Sequence, residues 1–163
     1  MMGDHDDYSL QLSAPAREAT RSITTNATSI RSATVTRWET EGLNRYEYIE
    51  IIGIVSRLTA FDTLRLALGH GVEALPDPAP GQAARSVADD AEQTNAWVPT
   101  VGPANPLSAL TALPSAAEAT HDVHAVLYLA ASQVMDFTIN REISRAQMEL
   151  IAARTSFLNE CFY

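Results

Sequence analysis

Glu149 and Cys161 are the residues of this chain whose types and spacing admit chemistry together. Cys161 is the one cysteine in the sequence, and Glu149 lies twelve positions before it in the closing stretch SRAQMELIAARTSFLNECFY. A thiolate attacks peroxide oxygen and disulfide sulfur, and a carboxylate at hand moves the protons such reactions release or consume. Glu149 stands among Ala152, Ala153 and Ser156. A carboxylate on a mostly apolar helix costs free energy unless it is paired. Taken without context, a lone cysteine is more often an inert buried thiol. His121 and His124, three apart in HDVH, share a helix face and could hold a metal ion, but no third ligand is near in sequence. A solvated or core role is the favoured reading for that pair. His70 after Gly69 reads as a helix-end residue interacting with the dipole.

The spacing Glu149, eleven residues, Cys161 and then Phe162-Tyr163 resembles the active-site pattern of the alkylhydroperoxidase D-like group, the peroxidase-related branch of the carboxymuconolactone decarboxylase superfamily. The segments RWETEGLNRYEYIEIIGIVSRLTAFDTLRLALG and ISRAQMELIAARTSFLNECFY both look like members of that group, and the resemblance covers roughly residues 28–163. It implies an all-α, multi-helix bundle working as a homo-oligomer. It implies that Glu149 is the proton-relay glutamate and Cys161 the first, resolving cysteine of a two-cysteine motif. The peroxide-attacking residue would follow Tyr163 and a histidine would follow four positions later; neither is among the 163 residues. The implied partners are a hydroperoxide substrate and a dithiol reductant protein, with no cofactor and no metal. Selenocysteine is encoded by a stop codon, so a misread UGA at the attacking position is one expectation. Another is negligible peroxidase activity for these 163 residues by themselves. The rival expectations are a lyase of the same superfamily, which lacks the cysteine motif, and a non-catalytic helical module for binding or assembly. Zinc binding near the cysteine is a more distant one.

Composition sets the frame. The length suits one domain with a real core, and 46% hydrophobic with 19% charged residues is globular material. Twenty acidic against eleven basic residues give a net charge of −9, with no basic cluster, which argues against nucleic acid or an anionic membrane as partner. One cysteine gives no internal disulfide framework, the acidic MMGDHDDYSL is no secretory signal, and Ile49–Leu68 is interrupted by four charges. A cytoplasmic location is the expectation, with residues 1–12 as a flexible terminus and 13–163 as a single domain.

The elements that must position the site follow from caps and periodicity. A short helix is predicted from Ser13 to about Ile23, and a second from Thr28 to Glu41 with Gly42 as its stop. Asn44 with Glu47 signals a capping box for a long helix over 45–68, read as buried almost all round and closed by Gly69. Residues 72–104 hold a Pro-rich excursion anchored by Trp97, Val98 and Pro99, a surface wrap or a lid. A short helix is expected from Pro106 to Leu113 capped by Asn105, and another from the Ser115/Glu118 box to about Met135. Ser144 with Gln147 opens the last helix, on which Leu150, Ala153 and Phe157 form an apolar stripe that Cys161 continues. If Asn159 capped a further helix, its positive end would favour a Cys161 thiolate. Shifted by 99 positions, YIEIIGIVSRL lies over QMELIAARTSF, pairing Glu50 with Glu149 and Asp62 with Cys161, as a decayed helical repeat would. Glu50 is read as one half of a structural ion pair with an arginine.

Overall fold

The computed structural model describes residues 12–77 and 85–161. The expected flexible terminus, part of the Pro-rich excursion and the Phe162-Tyr163 end of the motif lie outside the described residues, save Leu12, which is exposed. Five α-helices carry the chain: α1 (Ala14–Asn26), α2 (Ser32–Thr40), α3 (Arg45–Ala67), α4 (Pro114–Leu127) and α5 (Arg145–Leu158). The only strands among the described residues are β1 (Ala91–Glu92) and β2 (Thr100–Val101), paired antiparallel. The protein is therefore all-α in class. It divides into two compact units, Met1–Ala117 and Glu118–Tyr163.

In the N-terminal unit the helices begin where their caps dictate. Ser13 Oγ accepts from Ala16 N at the start of α1, which runs three residues beyond the expected Ile23. At α3, Asn44 Oδ1 accepts from Tyr46 N and Glu47 Oε2 from Asn44 N, so both partners of the box satisfy otherwise orphaned donors. The start of α2 is later than the periodicity suggested, because Ala27–Ser29 closes as a 3₁₀ turn first. Both α2 and α3 end in a left-handed glycine, Gly42 at φ 105° and Gly69 at φ 78°. The next residue bonds back five positions in each case, Leu43 N to Trp38 O and His70 N to Arg65 O.

Trp38, Val35 and Ile30 meet Ala16 and Ala19 of α1 and Tyr48 and Ile49 of α3 in one buried cluster, completed by Val98, Leu110 and Leu113. The expectation that α3 is buried almost all round is not met. Tyr48, Ile49, Gly53 and Val55 are buried, but Ile54, Phe61, Leu66 and other apolar residues along its length are exposed. Only its first half lies against the cluster. The excursion is anchored as expected by buried Val98 and Pro99, whereas Trp97 is exposed; its carbonyl receives the Arg45 guanidinium. It also contains the small hairpin that composition did not foretell. The Asn105 cap exists, with Ser108 N donating to Asn105 Oδ1 at 3.2 Å, but it opens a 3₁₀ turn over Pro106–Ser108 and not a helix to Leu113.

The C-terminal unit has three buried residues among those described, Leu129, Met148 and, unusually, Arg145. Here α4 stops at Leu127, eight residues before the expected Met135. The Arg141 guanidinium takes the carbonyls of Ala125 and Val126 at 2.9 and 3.1 Å, satisfying the acceptors a helix end leaves orphaned. Ser144 and Gln147 form the expected box at the start of α5.

Candidate functional site

Glu149 sits one turn above Arg145 on α5, and its carboxylate is held from two directions. Arg145 Nε donates to Glu149 Oε1 at 2.6 Å, and Tyr128 Oη donates to the same oxygen at 2.5 Å. Among the described residues Oε2 takes no hydrogen bond, and the Glu149 side chain is 44% exposed. Both Nη groups of Arg145 donate to backbone carbonyls, Nη2 to Val134 at 2.7 Å and Nη1 to Asp136 at 3.2 Å and Gln133 at 3.4 Å. Its guanidinium carbon lies 5.2 Å from the Phe137 ring centroid. Arg145 is thus buried because its donors are spent on the 133–136 turn, which leaves Nε for the carboxylate.

Tyr128 is fixed in turn by His124. The two rings meet edge to face at 5.4 Å, and His124 Nδ1 lies 2.6 Å from Leu129 O. A carbonyl only accepts, so Nδ1 is the donor in this contact. The bond from Tyr128 does most to hold the Glu149 carboxyl below the usual carboxylate range. Desolvation opposes it, and the bond and charge of Arg145 add to it. The Tyr128 phenol is raised, first by burial and then by the carboxylate it donates to. At neutral pH the pair is therefore carboxylate and phenol.

Cys161 lies beyond the far end of α5. The helical rise of about 1.5 Å per residue carries the chain roughly 14 Å from Glu149 to Leu158, so the two side chains are not in contact range. Past Leu158 the chain turns by a left-handed residue, Glu160 at φ 51°, with Glu160 N bonded to Phe157 O and Cys161 N to Ser156 O at 3.0 Å. This is the closing motif of α2 and α3 with a glutamate in the glycine position. The Cys161 side chain is exposed, and its Sγ lies 4.0 Å from Asn159 O. Asn159 does not act as the cap of a further helix: its side chain donates to Thr155 O and its backbone, at φ −94° and ψ 10°, closes α5. The apolar stripe of α5 is exposed, with Leu150 71% and Phe157 73% accessible.

Of the remaining candidates, Glu50 is the ion pair expected. Arg85 Nε meets its Oε1 at 3.0 Å and Nη2 its Oε2 at 2.6 Å. Asp62, the counterpart of Cys161 in the shifted alignment, lines a cleft of about 840 Å³ with Leu58, Phe61, Arg65 and Leu75. Among the described residues no three His, Cys, Asp or Glu side chains converge as metal ligands. No helix there is long and apolar enough to cross a membrane. Two side chains that hold Glu149 escaped the sequence reading. Arg145, four positions before Glu149, was legible as a helix pair; Tyr128 left no local signal. In comparisons with protein-family models, curated proteins and solved structures, none matches the chain.

Proposed function

We propose that the chain carries the glutamate and the resolving-thiol half of a hydroperoxide-reducing centre, of the kind the alkylhydroperoxidase D-like resemblance implies. In the cycle a thiolate or selenolate attacks the peroxide, the O–O bond breaks, and the alkoxide leaves with a proton. Cys161 Sγ then attacks the resulting sulfenic or selenenic acid, releasing water, and a dithiol protein reduces the bond so formed. The sequence has one cysteine, so the attacking group comes from outside these 163 residues. Glu149 is the proton relay of this cycle, as the resemblance implies.

The observation that supports this reading is an ionised carboxylate with one unoccupied oxygen on the same helix whose end presents an exposed thiol. Decoding the gene beyond Tyr163 tests it. A UGA or cysteine codon with a histidine four positions later is expected, and a chain translated through it consumes hydroperoxide when given a dithiol. A frame without either residue, or a longer chain inert to peroxide, overturns it.

A second reading, a non-catalytic helical assembly module, draws on the exposed apolar residues Leu150, Ile151, Phe157 and Leu158 of α5. Self-association into a homo-oligomer fits both readings, since exposed apolar surface on this scale favours burial against another chain. Peroxide turnover separates them.

A further inference from the structure

We infer that Tyr128 is the positioning residue of the Glu149 carboxylate, fixing Oε2 as the one oxygen that takes the proton. The inference rests on the hydroperoxide reading above for what that proton is for, but its geometry stands by itself. A carboxylate turns easily about its last torsion, whose preference is broad and two-fold. Arg145 alone could hold either oxygen. The N-terminal unit holds a contrasting pair. Arg85 takes both oxygens of Glu50, one through Nε and one through Nη2.

At Glu149 the outcome differs for two reasons. Arg145 spends its Nη groups on the carbonyls of residues 133, 134 and 136, so only Nε reaches the carboxylate. Tyr128, from the segment just after α4, then places its hydroxyl on that same Oε1 at 2.5 Å. Two donors on one oxygen lock the torsion and saturate that oxygen's lone pairs, and Oε2 is left open on a side chain still 44% exposed. His124 holds the Tyr128 ring edge-on and is itself tied to Leu129 O, so the phenol is aimed by packing. Among the described residues the charged or titratable groups facing the carboxylate are Tyr128 and Arg145; both stabilise its ionised form.

The test is a carboxyl-detected NMR titration of the 163-residue chain and its Tyr128→Phe variant, with helix content followed in parallel. Losing a donor to the charged form moves the Glu149 titration upward by about one pH unit. An unmoved titration in a folded variant overturns the inference. Should Tyr128→Phe fail to fold, the reciprocal measurement decides. In Glu149→Gln the Tyr128 phenol titrates at lower pH than in the unaltered chain, and an unchanged phenol overturns the inference equally. Failure of the hydroperoxide reading looks different: a longer chain inert to peroxide, with both NMR shifts intact.

Discussion

Glu50 and Glu149 hold equivalent positions in two similar stretches of sequence, both end on an arginine, and they differ in what remains free. Glu50 is closed at both oxygens by Arg85, whereas Glu149 is closed at one. The pH consequence of Glu149 has a definite sign. Its folded-state pKa is depressed by Tyr128 and Arg145, below the ordinary carboxylate value near 4.3 of the unfolded chain. The stabilisation is therefore complete above that ordinary value and is lost as pH falls through the folded pKa. Partial exposure keeps its size small. Thermal unfolding of Glu149→Gln against the unaltered chain is expected to differ at neutral pH and to converge in strong acid. Tyr48 has the opposite sign. Packed against Trp38 and desolvated, its phenol is pushed up to about 12, despite the charge of Arg45. An unfolded phenol ionises near 10, so stability from this group is complete below that pH and drains away between roughly 10 and 12. An ultraviolet titration is expected to find one tyrosine ionising last, and Tyr48→Phe is expected to remove that step.

At the scale of elements, the unit containing the site is organised around a buried guanidinium more than an apolar core. Arg145 ties the 133–136 turn to the first turn of α5 through three carbonyls and the Glu149 carboxylate. Arg145→Met keeps the length of the stem but strands those acceptors. It is expected to cost about 3 kcal/mol, read as a loss of helix signal and an earlier thermal transition. The features legible in the sequence were the local ones. Ser13, the Asn44/Glu47 box and the Ser144/Gln147 box each fixed a helix start, and Gly42 and Gly69 fixed two ends. The features that were not legible are held by residues distant in sequence. Arg141 ends α4 by reaching back fifteen and sixteen positions, and Tyr128 finds Glu149 across twenty-one. The period of Leu150, Ala153 and Phe157 marked an apolar face correctly but said nothing of what covers it. The end of α5 carried no glycine, and the left-handed turn at Glu160 was therefore read as continuing the stripe to Cys161.

For the whole molecule, the chain is all-α among its described residues, in two units. Carboxylate and thiol share the second, separated by the length of α5. In the proposed cycle Glu149 is the proton relay and Cys161, exposed past the helix end, the resolving thiol. One measurement reaches that proposed cycle most directly. It is the rate of hydroperoxide consumption, with a dithiol supplied, by the chain translated beyond Tyr163 and by its Glu149→Gln variant. General acid–base catalysis contributes on the order of 100-fold or more, so turnover is expected in the first and a loss of at least about 100-fold in the second. Consumption unchanged by Glu149→Gln, or none in either chain, would contradict the account.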